Sequence, residues 1–266
     1  MNYKFDVEKN VGRIKEFIKD YFVNNATPNT KAVIGISGGK DSTVAAKLLV
    51  DALGPHRVIG VLMPQDVQRD IDDSRKVCEI LGIKYYEIDI GPACAALYRS
   101  IDEAYDFDHT VTNIPAITTN TPSRIRMATL YAVAAAIGGR VCNTGNASEA
   151  FVGYTTKYGD LAGDFALLKN FTVSEVFEIG DYLGLPYDLV HKTPSDGMSG
   201  KSDEENIGVP YRVIDDYLMY DIYPDQFYYE KMMAAHKRNI HKQVINLPAP
   251  RRCGSSLNMP GEEWYF

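Results

Sequence analysis

Ala32-Val-Ile-Gly-Ile-Ser-Gly-Gly-Lys-Asp-Ser42 is the stretch on which the fold turns. Ala32 to Ile36 is a short apolar run rich in β-branched residues and bounded by turn signals, which predicts a buried strand. Helical spacing follows from Thr43 to Leu53. A strand that feeds a helix through glycines offers backbone N–H groups and a positive dipole end, a setting that suits an anion. Within Gly35-Ile36-Ser37-Gly38-Gly39-Lys40-Asp41-Ser42, Gly38 and Gly39 let the backbone approach closely, and Ser37 and Ser42 carry hydroxyls for a phosphate. Asp41 would repel bare phosphate and makes sense there beside a divalent cation, so it is a candidate Mg2+ ligand.

The alternation continues on both sides. Upstream, Val7, Val11, Ile14, Ile18 and Tyr21 or Phe22 mark one face of a helix that Thr27-Pro-Asn-Thr30 ends. Downstream come a strand over Val58 to Leu62, a helix over Asp70 to Leu81 and a strand over Lys84 to Ile90. Thr121-Pro122 predicts the start of a helix through Ile137, stopped by Gly138-Gly139, with a fourth parallel strand over Arg140 to Asn143. Such alternation predicts an α/β fold, a doubly wound parallel sheet with helices on both faces. Beyond residue 150, Gly153 to Gly163 and Lys192 to Ser202 read as long loops of the kind that form lids or binding surfaces. Helices are expected over Val173 to Leu183, Val209 to Tyr217 and Phe227 to His241. No repeat or linker interrupts the pattern, so residues 1–266 are expected to form a single domain.

Composition narrows the function. A 266-residue chain that is 45% hydrophobic can bury a full core, and its net charge of −7 argues against a general nucleic-acid surface. Cys78, Cys94, Cys142 and Cys253 lack a C-x-x-C pair, so neither a zinc site nor a disulfide framework is indicated. No apolar run approaches a bilayer span, and Asp6 and Glu8 stand where a signal peptide would be basic and then apolar. The expectation is a cytoplasmic protein with no membrane partner.

Ser37-Gly-Gly-Lys-Asp-Ser42 resembles the loop of the ATP pyrophosphatases, which cleave ATP between its α and β phosphates. The spacing of a Walker loop is absent. Thr144-Gly-Asn-Ala-Ser-Glu149, Gly153-Tyr-Thr-Thr-Lys-Tyr-Gly-Asp160 with Asp164, Pro122-Ser-Arg-Ile-Arg-Met127, Lys192-Thr-Pro-Ser-Asp-Gly197 and the segment Asp203 to Asp216 are similar, in order, to the NAD synthetase signatures. That resemblance implies a Rossmann-like sheet of the ATP pyrophosphatase type and a ligase that amidates deamido-NAD with ammonia, through an acyl-adenylate. It implies ATP as co-substrate, Mg2+ as cofactor and a homodimer. Free ammonia is expected, since the synthetase pattern accounts for the whole chain and leaves no glutamine-hydrolysing part.

Carried over by position, the resemblance implies that Gly35 to Ser42, Thr144 and Ser195 contact ATP, and that Asp41 and Glu149 hold the metal. Arg124, Lys157, Asp164, His241 and Lys242 would hold deamido-NAD, with His236-Lys237 offering the same dipeptide earlier on the helix. Val173 stands where many NAD synthetases have a phosphate-binding lysine, and Lys169 and Lys40 are the alternatives for that charge.

Overall fold

The computed structural model describes residues 4–65, 71–105, 110–192 and 202–244. Its chain order is α1 (Val7–Asn25), β1 (Lys31–Gly35), α2 (Lys40–Leu53), β2 (Val58–Leu62), α3 (Ile71–Leu81) and β3 (Lys84–Glu87), followed by α4 (Gly91–Ala104) and α5 (Pro115–Ile137). After these come β4 (Gly139–Asn143), α6 (Ala147–Val152), β5 (Phe165–Ala166), α7 (Val173–Tyr182), α8 (Tyr187–Val190), α9 (Asp203–Ile207), α10 (Tyr211–Tyr220) and α11 (Gln226–Asn239). A short 3-10 turn over Ile240–Val244 follows α11.

The strands form one parallel sheet in the order β3-β2-β1-β4-β5, with Ile34 opposite Gly60 on one side and Cys142 on the other. Alternation along β1 divides its side chains between two cores. Ala32 and Ile34 join Ile14 and Ile18 of α1, Leu48 and Leu49 of α2, Val77 of α3 and Val176 of α7. Val33 joins Cys94 of α4 and Met127 and Leu130 of α5 on the opposite face. The sheet is thus covered on both faces, which is why β2 can be apolar at every position. A third core, built from Phe151, Val173, Tyr211, Ile214 and Met232, packs α10 against α6 and α7, and α11 against α6.

Four expectations need correction. The helix through Arg124 starts at Pro115, not at Pro122, which lies inside it. Both prolines suit a first turn, but Ile114 caps the helix in an extended conformation and Pro115 takes the true first position. Helix α2 begins at Lys40 rather than Thr43, because Gly39 caps it and its carbonyl receives the Thr43 N–H at 3.2 Å. Strand β3 stops at Glu87, three residues before Ile90, and the chain then enters α4 with a proline in its first turn, a helix the apolar pattern did not reveal. Finally, Phe165–Ala166 adds a fifth strand of two residues, paired with Cys142 and Asn143.

Cys78, Cys94 and Cys142 are buried and form no disulfide among the described residues, and burial pushes the Cys78 thiol up to about 12. Among the described residues no helix is long and apolar enough to cross a membrane.

Candidate active site

The chain leaves β1 toward β2 and β3, then returns to β4 and β5 on the other side of β1. The order reverses between β1 and β4, the place where an open parallel sheet leaves a crevice beyond its strand ends. Residues 36–39 follow β1 there, and residues 144–146 follow β4.

In the first loop, Ile36 N–H donates to Val61 O at 3.0 Å, which extends β1 by one residue before the turn. Gly38 has φ +76°, and a Cβ there would lie 2.8 Å from Asp73 Cβ and 3.0 Å from Ser74 N. Both the conformation and the space require glycine. The Ser37 and Ser42 hydroxyls lie 3.1 Å apart, Ser42 Oγ accepts from Ser37 N–H at 3.2 Å, and Gly39 N–H donates to Ser37 Oγ at 3.3 Å. Ser37 is exposed and Ser42 buried. These bonds hold the loop as a cup at the amino end of α2, where N–H groups have no partner within the helix.

The second loop is locked to the first by Asn146. Its side-chain Oδ1 accepts from Glu149 N–H at 2.9 Å, while Glu149 Oε2 accepts from Asn146 N–H at 3.2 Å, a reciprocal cap on α6. The remaining end of the same amide, Nδ2, donates to Asp41 Oδ1 at 3.1 Å. Asp41 and Glu149, 108 positions apart in the chain, thereby face one region. Burial and the nearby Asp41 charge push the Glu149 carboxyl up to about 8. Lys40 answers that charge: its Nζ lies 2.8 Å from Asp41 Oδ2. Burial alone would lower its pKa, but Asp41, Glu149 and Asp203 outweigh it and the net shift is upward. The phenol oxygen of Tyr211, buried beside the same three carboxylates, has no hydrogen-bond partner among the described residues.

A group of cations gathers around the loop that follows α6. Arg124 is exposed on α5, and its Nε donates to Lys157 O at 3.2 Å. Lys157 Nζ donates to His241 O at 2.9 Å, and Lys242 Nζ to Gly153 O and Thr155 O at 2.9 and 2.8 Å. Asn143, at the end of β4, ties the intervening loop down through Asp160 O at 2.6 Å and Ala162 O at 2.9 Å. Arg126 reaches over the end of β2 to Met63 O at 3.1 Å, and burial lowers its pKa.

The structure therefore brings Arg124, Lys157, His241 and Lys242 together, and separately Asp41 and Glu149. Asp164 is placed differently. Its Oδ2 accepts from Val141 N–H at 2.7 Å and its Oδ1 from Tyr131 OH at 3.4 Å, so the carboxylate braces the start of β5. Thr144 is half-buried just past β4, and Ser195 lies outside the described residues. The Lys40 ammonium is turned inward onto Asp41. His236 is buried, with Nδ1 2.8 Å from Phe151 O and its ring stacked on Phe151. Together with Asn239 on Val152 O and Gln243 on Ala150 O, it satisfies carbonyls at the end of α6. Gly153 permits this docking, since a Cβ there would fall 2.1 Å from Asn239 Cβ. Sequence reasoning missed Asn146, Asn143 and Arg126. Asn146 carried a signal as an asparagine three residues before a glutamate at a helix start, and Arg126 stood within the Pro122 to Met127 stretch.

The chain matches the NAD synthase family over residues 10–248. The NH(3)-dependent NAD(+) synthetase of Pyrococcus furiosus is 39% identical over 216 residues, which cover 81% of this chain and 79% of that protein. This chain belongs to the NAD synthase family. The NH(3)-dependent NAD(+) synthetase of Methanocaldococcus jannaschii is 35% identical over 91% of this chain and 88% of its own length. Among solved structures, an NMN synthetase from Francisella tularensis superposes with a TM-score of 0.81 at 33% identity, covering 92% of this chain and 98% of that one. An NH3-dependent NAD synthetase from Campylobacter jejuni gives a TM-score of 0.71 at 25% identity, covering 91% and 98%.

As an NAD synthase the chain is an NH3-dependent ligase that uses ATP as co-substrate. Val173 is buried as the first residue of α7, and its N–H donates to Ser148 Oγ at 3.0 Å. Lys169 is half-buried in the turn after β5, and burial lowers its pKa.

Proposed function

We propose that this enzyme amidates deamido-NAD in two steps within one site. The nicotinate carboxylate attacks the α phosphorus of ATP and pyrophosphate leaves; ammonia then attacks the acyl-adenylate, AMP leaves, and NAD remains after loss of a proton. Adenylation converts a poor leaving group into a good one. The observation that carries this reading is the convergence of the Ser37–Ser42 cup and the Glu149 turn at the switch point between β1 and β4, joined through Asn146 and Asp41.

In this reading the N–H groups and hydroxyls of Gly35 to Ser42 hold the phosphates of ATP, with Thr144 and Ser195 as further contacts. Arg124, Lys157, His241 and Lys242 hold anionic and hydroxyl groups of deamido-NAD, and the Asp164 carboxylate accepts from a hydroxyl or ring nitrogen of the same substrate. Asp41 and Glu149 would hold Mg2+, which supplies charge neutralisation for the departing pyrophosphate. The residues fit such an ion. Among the described residues no set of three His, Cys, Asp or Glu side chains is arranged to hold a metal alone, and Mg2+ is commonly held by one or two carboxylates together with substrate phosphates. Two facing carboxylates, whose burial and mutual repulsion raise the Glu149 carboxyl, are relieved when a hard cation takes the place of the proton. The Tyr211 hydroxyl beside them has no hydrogen-bond partner among the described residues. A single domain assembled as a homodimer belongs to the same reading and rests on the family resemblance.

The test is AMP release that requires both deamido-NAD and ammonium. A chain that turns over ATP equally without ammonium, or with glutamine alone, defeats the proposal. A second reading is favoured by the likeness to the Francisella tularensis NMN synthetase and by the engagement of both Asp164 oxygens within the chain. In it the acid is nicotinate mononucleotide, which needs no site for a second nucleotide. Comparing kcat/KM for the two acids decides between them.

A further inference from the structure

Lys40 lies between Gly39 and Asp41 in the Ser37 to Ser42 loop, and its placement is unusual for a surface-type cation. The whole residue is 4% exposed, and its Nζ sits 2.8 Å from Asp41 Oδ2. The ammonium also lies 5.9 Å from the Phe177 ring centre and 5.8 Å from that of Tyr211, so two aromatic walls close around it. Asp203, 6% exposed at the start of α9, adds a third carboxylate to those of Asp41 and Glu149 near this charge. A buried ammonium held in this way stays only while its counter-charges stay. The same Asp41 carboxylate is one of the two that the proposed function gives to Mg2+, and a divalent ion there would meet the Lys40 charge at close range.

We propose that Lys40 is a built-in placeholder cation, which holds Asp41 in the absence of nucleotide, keeps free metal out, and gives Asp41 up when ATP brings metal and phosphate together. The inference rests on the reading of Asp41 and Glu149 as the metal carboxylates. Metal and ATP then bind with strong positive coupling, because each alone must work against the Lys40–Asp41 pair or lack its partner charge. The released ammonium has the phosphates of ATP within the same loop as its new counter-charge, which serves the role left open by Val173. Asn146 keeps Asp41 in place through the exchange, since it holds Oδ1 while Lys40 holds Oδ2.

The experiment measures Mn2+ binding by electron paramagnetic resonance, with and without a non-hydrolysable ATP analogue, in the native chain, Lys40→Met and Lys40→Arg. Methionine keeps the length and apolar stem without charge; arginine keeps charge. The expected result is that Lys40→Met binds Mn2+ without nucleotide about tenfold or more tightly than the native chain, a factor within the usual range of coupling between sites. Lys40→Arg should bind as weakly as the native chain. If the native chain and Lys40→Met bind Mn2+ equally without nucleotide, yet both bind it with nucleotide, Lys40 is not a placeholder although the metal reading stands. If none of the three binds Mn2+ under either condition, the metal reading fails and the placeholder role fails with it. Circular dichroism of each variant verifies folding, and should Lys40→Met not fold, Lys40→Gln replaces it with the same expected and refuting outcomes.

Discussion

Replacing Asp215 by asparagine tests how the helices around Glu149 are fastened together. Asp215 is 1% exposed on α10, and its carboxylate accepts from Ser148 Oγ on α6 and from Ser174 N–H and Oγ on α7 at 2.8 and 2.6 Å. Burial pushes this carboxyl up from 3.8 to about 6, against the pull of those hydrogen bonds in the other direction. The folded chain therefore holds a proton there up to about pH 6, whereas the unfolded chain loses it near 3.8. The associated stability is fully present below about pH 4 and is lost as pH rises through about 6. A shift of roughly two units corresponds to about 3 kcal/mol, at about 1.4 kcal/mol per unit. Asparagine cannot ionise, so Asp215→Asn removes this slope while keeping one oxygen for Ser174. Urea unfolding followed by circular dichroism should show the native chain losing about 3 kcal/mol relative to the variant between pH 4 and pH 7. A difference that is flat across that window, or that moves in favour of the native chain, would refute the assignment.

Further outcomes follow from the same geometry. Gly38→Ala should cost about 1–3 kcal/mol from a strained φ and contact with Asp73, read as a lower Tm together with a raised KM for ATP. Asn143→Ala removes two bonds to the 153–163 loop and one from Gly145 N–H at 2.9 Å, about 3 kcal/mol at about 1 kcal/mol each, and hydrogen exchange over residues 156–162 should quicken. Lys157→Met should raise the KM for the dinucleotide acid by about 10-fold or more while leaving the KM for ATP unchanged, as initial-rate kinetics would show. Asp41→Asn should sharply raise the Mg2+ concentration needed for half-maximal AMP release; full turnover at limiting Mg2+ would exclude Asp41 as a ligand.

The parts of the fold that the sequence made legible are those governed by a long apolar period. Strands β1 and β2 and helices α1 and α7 came within a few residues of their expected limits, because each presents a run that only a buried element explains. The elements that escaped lack such a run. Strand β5 has two residues and owes its place to pairing with Cys142 and Asn143, a tertiary cause invisible in local pattern. The first two turns of α5 contain Thr118, Thr119, Asn120 and Thr121, poor helix formers that made Pro122 look like the beginning. The site divides in the same way. The glycine-rich loop was readable because its chemistry is local. The joining of Asp41 to Glu149 was not, because it depends on an amide 105 positions from Asp41. Nor could sequence alone separate His236, which closes the end of α6, from His241 beside Lys157, since a histidine followed by lysine reads alike in both places.

Asn146 sets a limit on how freely this chain can vary. Its one amide must accept from Glu149 N–H and donate to Asp41 at once, in a pocket where it is 1% exposed. Aspartate could cap the helix but would turn a second negative charge toward Asp41, and serine or threonine is too short to span both partners. Glutamine adds a methylene for which the capping geometry has no room. Position 146 thus has an alphabet of one letter, set by the need for donor and acceptor on the same rigid group. A saturation library at this codon, selected in cells whose growth requires the enzyme, should return asparagine almost alone.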